Sequence, residues 1–290
     1  MTFNSADHSG DVAQCIHKIL PEYRREGKNI VQPVDFISFF NVLDKEIRAL
    51  KRVPLKNNES QLAWYERKRN FYDDKIAYTV QYSSGRPKKI CFMLHGMGDD
   101  PMEMARRAPK VDDILFIVPR AFRPFKILWN VSWNYQWFDI GSLSHPNKEL
   151  IMKGLAENRP VLIEWIEDIL EVHDMTYDDL ILCGFSQGAI TALDLLNYDK
   201  RLRYAIAVAG GINTETVLPD QSNKYILLIH HPLDPIVPYE AAQETLVCFK
   251  NAGACITLQE PLTKGHLIFF CAKTQEYMRE FLQAVMGQKS

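Results

Sequence analysis

The residues with the clearest capacity for chemistry form the sequence G-F-S-Q-G at positions 184–188. This G-x-S-x-G pattern follows an apolar run and opens a helix-period stretch, which is the strand-turn-helix setting of a nucleophilic serine. Such a turn crowds the main chain, so glycines two residues before and two after the serine leave room for it. The alternative interpretation is a glycine-bounded turn with a capping serine. We predict that Ser186 is a nucleophile.

A serine hydroxyl is a weak nucleophile that needs a general base, which must itself be oriented by a third group. Asp234 lies in the segment 230–238, immediately after the apolar run 225–229, and His266 follows the run 255–258. Taken singly, Asp234 would suit a turn and His266 a structural role. Together, in the chain order serine, acid, histidine, they favour catalysis. We predict Asp234 as the acid partner and His266 as the general base, so activity should fall as this base is protonated.

A second glycine-containing loop, H-G-M-G-D at positions 95–99, follows the apolar run 90–94. In a serine hydrolase, a loop after an early strand supplies half of the oxyanion hole, and the residue after the nucleophile supplies the other half. We therefore predict the main-chain N–H groups of Met97 and Gln187 as the donor pair. An ordinary glycine turn is the alternative for this loop.

These motifs together resemble the carboxylesterase/phospholipase group that includes the acyl-protein thioesterases. Its members carry an H-G-x-G-D loop, a G-F-S-Q-G elbow, an H-G-x-x-D-x-V-V-P acid loop and a G-H base loop. The matching segments here are 95–99, 184–188, 230–238 and 265–266, with P-R-A at 119–121 and W-F-D at 137–139 between the first two. The resemblance covers about residue 89 to the C-terminus. It implies an α/β-hydrolase fold and hydrolysis of carboxylic esters, lysophospholipids or S-acylated proteins, with no cofactor and no metal.

The chain departs from the family pattern at positions that include 231 and 189. His231 stands where family members usually have glycine, and Ala189 stands where a second glycine usually follows the elbow. The bulky ring of His231 beside the acid loop puts the geometry of that loop in question.

Substrate-binding residues are also expected near the oxyanion loop. We predict Gly96, Trp137 and Phe138 for this role, since they lie in or beside the family segments. They belong with a cluster of rings that would line an acyl pocket or contact a membrane surface. The alternative is that these rings are core. The cluster comprises Trp129, Trp133, Tyr135, Trp137 and Phe138.

The elements that must position these residues alternate between short apolar runs and longer amphipathic stretches, which indicates an α/β fold with a mainly parallel sheet. Predicted strands are 76–82, 90–94, 114–118, 180–183, 204–208, 225–229 and 255–258. Predicted helices are 147–172, 187–196, 239–252 and 273–286. Pro160 is expected to break or kink the first of these helices.

Residues 1–75 differ from the rest, because they are rich in charge and carry helix-period patterns at about 12–23, 34–50 and 61–72. We interpret them as a helical extension attached to a catalytic domain of residues 76–290. This extension would cover the acyl-binding groove, make a dimer contact, close the pocket until a partner arrives, or pack on the back of the sheet.

Composition narrows the class of protein. The chain has 290 residues and a formal net charge of −2, which disfavours nucleic acid as a partner. Its six cysteines are scattered without metal-binding spacing, and the N-terminus lacks the pattern of a secretory signal. No apolar run reaches the roughly 18 residues of a spanning helix. We predict a cytoplasmic serine hydrolase; the alternatives are a non-catalytic binding protein on the same fold and an acyltransferase using the same triad.

Overall fold

The structure is a computed structural model that describes residues 30–31, 76–82, 86–99, 101–125, 134–142, 145–212, 214–217, 219–263 and 265–287. Within these residues the central sheet has eight strands, in the order β1-β2-β4-β3-β7-β8-β9-β10. They are β1 (Ile30–Val31), β2 (Ile76–Gln81), β3 (Lys89–Leu94), β4 (Ile114–Pro119), β7 (Leu180–Phe185), β8 (Tyr204–Val208), β9 (Tyr225–Ile229) and β10 (Cys255–Gln259). A separate hairpin pairs β5 (Arg123–Phe125) with β6 (Asn134–Gln136).

Helices connect the parallel strands. They are α1 (Pro101–Arg106), α2 (Lys148–His173), α3 (Gln187–Tyr198), α4 (Tyr239–Asn251) and α5 (Ala272–Gly287). Strands β4, β3, β7, β8, β9 and β10 run parallel, and β2 joins β4 in the antiparallel direction. The predicted α/β class with a mainly parallel sheet flanked by helices is therefore confirmed. The sequence pattern did not predict β1, α1 or the β5–β6 hairpin.

Successive side chains along the buried strands point alternately into two hydrophobic cores. In β3, Ile90, Phe92 and Leu94 face a core built largely with α2 and α3. The intervening Cys91 and Met93 face a second core completed by α1 and α5. Both faces of the strand are covered, so β3 reads as a continuous apolar run in the sequence.

Helix α2 runs from Lys148 to His173 with Pro160 inside it, so the expectation that this proline breaks the helix is wrong. Pro160 lies on the exposed side of the helix, where a carbonyl left without its helical N–H donor can bond to water instead. The opposite side packs into the core through Leu155, Leu162 and Ile166. This burial offsets the missing hydrogen bond.

The three helical patterns within residues 1–75 lie outside the described residues. Only Ile30–Val31 of that segment is described, and it forms an antiparallel edge strand whose Cα partners are Val80 and Thr79 of β2. The N-terminal segment thus contributes a strand at one end of the central sheet.

Helix α3, which begins directly after Ser186, is tied to α2 by a bidentate ion pair. The Arg159 guanidinium donates to both carboxylate oxygens of Asp194, at 2.8 and 2.7 Å. The Asp194 side chain is only 2% exposed, so it depends on this partner for charge compensation. The ion pair therefore fixes the helix that carries the candidate nucleophile at its N-terminus.

Arg159→Met is expected to lower the free energy of unfolding by about 3 kcal/mol, since it leaves the Asp194 carboxylate buried without a partner. Urea unfolding followed by circular dichroism measures this change. Arg106→Met is the matched control, because its pair with Glu103 is exposed and should contribute less than about 1 kcal/mol. Equal effects of the two substitutions would contradict this account of α3.

The described cysteines are all free thiols: Cys91, Cys183, Cys248, Cys255 and Cys271. Among the helices that the structure describes, none is both long enough and apolar enough to cross a membrane.

Candidate active site

Ser186 occupies a strained turn between β7 and α3. Its φ of 52° and ψ of −116° lie in a region that residues with a side chain rarely adopt. A Cβ at Gly184 would lie 2.2 Å from the Gly188 carbonyl oxygen, and one at Gly188 would lie 2.0 Å from the Leu94 carbonyl oxygen. Neither contact is possible, so the flanking residues must be glycine. The Ser186 N–H donates to the Val208 carbonyl at 2.8 Å, which anchors the turn to β8.

The three residues singled out from the sequence are joined by hydrogen bonds. Nε2 of His266 lies 2.8 Å from Oγ of Ser186. Nδ1 of His266 lies 2.8 Å from Oδ2 of Asp234 and 3.0 Å from its Oδ1. Because Nδ1 faces a carboxylate, it carries the proton of the neutral ring, and Nε2 presents a lone pair to the hydroxyl. In this tautomer the imidazole is arranged to accept the Ser186 proton.

Asp234 is held by its own loop. Its Oδ1 accepts the N–H groups of Ile236 at 2.8 Å and Val237 at 3.0 Å, and the carboxylate is fully buried. The adjacent His231 does not displace it, since His231 turns its Nδ1 to the Leu233 N–H at 2.9 Å. The His231 side chain, which replaces the family's glycine, is therefore accommodated within the turn. The Asp234 carboxylate still contacts His266.

His266 is partly exposed, with 14% of its side chain accessible, and lies against the ring of Phe185. The two ring centroids are 5.2 Å apart. Phe185 also contacts Phe269 and Phe270 in the short helical turn Leu267–Phe270 that follows the histidine. The Phe185 ring covers one side of the imidazole, and Nε2 of the imidazole faces Ser186.

The loop after β3 is pinned at several points around the predicted oxyanion hole. The His95 ring is buried, with Nδ1 2.8 Å from the Gly96 carbonyl and Nε2 accepting from the Ala121 N–H at 3.2 Å. The Gly96 N–H donates to Oδ2 of Asp99 at 2.9 Å. The loop that carries Met97 is thereby held in one conformation, as a preorganised oxyanion site requires.

The two predicted donors have N–H groups suited to that role. Gln187 is the first residue of α3, so its N–H has no acceptor within the helix and adds to the positive end of the helix dipole. For Met97, no main-chain acceptor is found among the described residues. Their joint action on an oxyanion stays a prediction.

Trp137 and Phe138 are fully buried, which favours the alternative that these two rings are core; their predicted contact with substrate stays a prediction. The Trp137 ring nitrogen donates to the His95 carbonyl at 2.8 Å, and its main-chain N–H donates to Oε1 of Gln187 at 2.7 Å. The Gln187 side chain also donates to the Phe138 carbonyl. The segment therefore braces the oxyanion loop from inside the core.

The other predicted binding residues have different positions. Gly96 is buried, and a Cβ there would lie 2.6 Å from Oδ2 of Asp99, so the glycine keeps the loop closed upon itself. Tyr135 is partly buried, and the Arg120 guanidinium lies over its ring. Trp129 and Trp133 lie outside the described residues.

Sequence reasoning missed the bracing groups: the rings of His95 and His230 and the side chains of Asp99 and Gln187. All four lie inside the family motifs, but nothing in their spacing reveals whether a side chain faces substrate or supports the main chain. Across the part of the chain that the structure describes, no group of three or more His, Cys, Asp or Glu residues is arranged to hold a metal ion.

Most of the chain is similar in sequence to one known protein family. The family model described as phospholipase/carboxylesterase matches residues 77–286. An acyl-protein thioesterase 1 from Candida albicans is 24% identical over 193 residues, which cover 61% of this chain and 84% of that protein. The acyl-protein thioesterase 1 from Debaryomyces hansenii is 25% identical, with 61% and 83% covered.

Solved structures show the same fold. The crystal structure of esterase PE8 superposes with a TM-score of 0.62 at 25% identity, covering 71% of this chain and 97% of that one. Zea mays acyl-protein thioesterase 2 superposes with a TM-score of 0.55 at 22% identity, covering 72% and 98%. Each match spans almost all of the solved structure. The unmatched residues are therefore mainly residues of this chain that the solved structure lacks.

Proposed function

We propose that this chain, which belongs to the phospholipase/carboxylesterase family, is a serine hydrolase that cleaves carboxylic ester or thioester bonds through an acyl-enzyme. The observation that carries the proposal is the continuous hydrogen-bonded path from Oγ of Ser186 through His266 to Asp234. This path supplies a nucleophile, a base and the group that orients the base. The relatives named esterase and acyl-protein thioesterase support the same bond types.

In the first half of the reaction, His266 accepts the Ser186 proton at Nε2 while Oγ attacks the acyl carbonyl carbon. Asp234 holds the ring through Nδ1 and stabilises the imidazolium that forms. The carbonyl oxygen gains negative charge, which the N–H groups of Met97 and Gln187 each stabilise by about 3 kcal/mol. His266 then protonates the alcohol or thiol as it leaves.

In the second half, water attacks the acyl-enzyme, and His266 accepts its proton by the same route. The carboxylic acid leaves, and Ser186 regains its hydrogen. Asp234 and the oxyanion donors act as they did in the first half. The chemistry needs no group beyond those that line the site.

Covalent labelling tests the proposal directly. A fluorophosphonate should add to Ser186 in the native protein, because the probe reports a serine activated by its base. Intact-mass measurement and peptide mapping locate the adduct, and heat-denatured protein is the control. A non-catalytic binding protein would give no adduct at Ser186, and that result would end the proposal.

The surroundings of the site favour an apolar acyl chain. Among the residues that the structure describes, four of the seven exposed large apolar side chains lie on the acid loop, on the base loop or in the segment between β10 and His266. We call this set the apolar rim: Leu233 (64% exposed), Ile236 (52%), Leu262 (93%) and Leu267 (65%). Leu233 and Leu267 directly adjoin Asp234 and His266 in the chain. Exposed apolar surface concentrated at a reactive centre is typical of a binding site.

Leu267→Ser is expected to lower kcat/KM for a dodecanoyl p-nitrophenyl ester about tenfold, while the acetyl ester is affected less than about twofold. The reason is that burying one leucine against a chain contributes roughly 1.5 kcal/mol or more, which only a long chain can gain. Val247→Ser, at an exposed apolar position on α4, is the matched control. A parallel loss on both esters would exclude a role in chain recognition.

We also propose the division of the chain into an extension, residues 1–75, and a catalytic domain, residues 76–290. The family match beginning at residue 77 supports this boundary. Within the extension, Ile30–Val31 pair with β2 at the edge of the sheet. A cytoplasmic location accords with the free thiols and stays a prediction.

A further inference from the structure

A second histidine, His230, lies beside the carboxylate of Asp234. It follows β9 directly, and its main-chain N–H donates to the Gln259 carbonyl at 3.0 Å. Its Nε2 lies 3.0 Å from the Val237 carbonyl and 3.5 Å from Oδ2 of Asp234. Its side chain is almost completely buried. The mechanism above gives this ring no part.

The contacts of His230 fix its tautomer. Both groups near Nε2 are oxygen acceptors, the Val237 carbonyl and the Asp234 carboxylate, so Nε2 carries the proton. In the neutral ring Nδ1 is then an acceptor; it makes no hydrogen bond of ordinary geometry with the described residues, although a main-chain group of Gly210 also interacts with the ring and raises its pKa. The ring donates its one N–H to the acid loop at Val237, the residue whose own N–H supports Asp234.

We propose that His230 is a positioning residue of the triad, which holds the acid loop through Val237 and aims the Asp234 carboxylate at His266. The inference rests on the proposed function. Val237 is the link, because its N–H donates to Oδ1 of Asp234 while its carbonyl accepts from His230. Val237 is therefore hydrogen-bonded to His230 and to Asp234 at the same time. These two bonds restrict the rotation of the Asp234 carboxylate.

The arrangement works only while His230 is neutral. Burial lowers the pKa of the His230 imidazole below its ordinary value, which keeps the ring neutral at neutral pH; its bond to Val237 and the charge of Asp234 oppose that effect. The titratable groups facing the ring are Asp234, His266 and Tyr239, whose ring centroid lies 5.9 Å away. Burial raises the pKa of Tyr239 to about 12, so this group stays neutral throughout.

Protonation of His230 places a cation beside Asp234, on the oxygen that His266 Nδ1 also contacts. The carboxylate is then shared between two imidazoles, and its support of His266 weakens. Activity should therefore be lost on acidification through two coupled protonations, one on His266 and one on His230. Without His230 as a titrating group, only the protonation of His266 remains.

Kinetics on the full chain test this inference with two substitutions. His230→Gln retains an N–H donor but cannot be protonated, so at pH 8 its kcat should stay within about threefold of wild type. Its log kcat should fall with a slope of one on acidification from about pH 8 to about pH 4, where wild type approaches two. His230→Leu removes the donor and should lower kcat about tenfold with KM unchanged.

Matched controls separate positioning from general damage. His231→Asn replaces a neighbouring buried histidine and keeps an acceptor for the Leu233 N–H, so its pH profile should match that of wild type. Circular dichroism at each pH confirms that every variant is folded. Wild-type kcat in folded His230→Leu, or a slope of one in the wild type, would overturn the inference.

A second readout does not depend on turnover. In protein labelled with 15N-histidine, the His266 ring signals should show an extra inflection as His230 protonates, and His230→Gln should abolish it. Identical His266 curves in the two proteins would overturn the coupling even if the enzyme is active. Conversely, Ser186→Ala with undiminished esterase activity would refute the proposed function while leaving this titration result in place.

Discussion

Ser186→Ala is expected to lower kcat for ester hydrolysis about a million-fold, which is the typical cost of removing the nucleophile of a hydrolytic triad. Without Oγ no acyl-enzyme forms, and the base has no hydroxyl to activate. The residual rate comes from the oxyanion donors acting on a direct attack by water. Initial rates on a panel of p-nitrophenyl esters, with the wild type purified in parallel, measure the loss.

The control for this substitution is Ser222→Ala, at an exposed turn where the main-chain N–H donates to Asp220 and stays in place without the hydroxyl. It should keep the wild-type rate. A Ser186→Ala protein that retains more than about a hundredth of the activity would show that another group performs the attack.

Ser186→Gly separates reactivity from strain at the same position. It should be as inactive as Ser186→Ala, but glycine adopts a φ of 52° without steric cost. Relief of this strain should raise the free energy of unfolding by roughly 1 kcal/mol or more. Glycine also increases the conformational entropy of the unfolded chain, which opposes that gain. Thermal unfolding should therefore place Ser186→Gly at or above Ser186→Ala.

Asp234→Asn is expected to lower kcat about ten-thousand-fold, although the shape of the side chain hardly changes. The reason lies in the loop. Oδ1 accepts the N–H groups of Ile236 and Val237, so the amide oxygen must take that place and the NH2 group must face His266. His266 would then accept at Nδ1 and carry its proton at Nε2, where it cannot receive the Ser186 proton.

Measurement of kcat and KM on a short-chain ester should show the loss in kcat, with KM changed little, because Asp234 does not touch substrate in the proposed mechanism. Asp220→Asn, at an exposed turn, is the matched control and should be silent. If Asp234→Asn kept more than about a tenth of the wild-type rate, the orienting role of the acid would have to be abandoned.

Local patterns in the sequence were sufficient for most of the architecture around the site. The apolar runs at β3, β7 and β8 predicted buried strands because parallel strands covered on both faces lose the alternation of a half-exposed sheet. The glycines at 184 and 188 predicted the turn because any side chain there would meet main-chain atoms. Pro160 was misjudged because local propensity ignores the packing that holds α2 together.

The functions of single side chains were predicted less well. Trp137 and Phe138 are buried, and the Trp137 ring nitrogen donates to the His95 carbonyl; their predicted contact with substrate stays a prediction. The Gln187 side chain spans from the elbow to this segment, and His230 reaches Val237 across the acid loop. Such contacts depend on the rotamer and on the neighbouring loop, and neither is encoded in the spacing of a motif.

The sequence by itself determined which residues are available for chemistry and in which order they leave the strands, because a strained turn and an apolar strand each demand particular residue types locally. Only the tertiary structure decided which side chains meet. Ser186 and His266 lie 80 residues apart in the chain, and their 2.8 Å contact exists because parallel strands end at a common edge of the sheet. Distances between such loops follow from strand order and twist, which no local pattern contains.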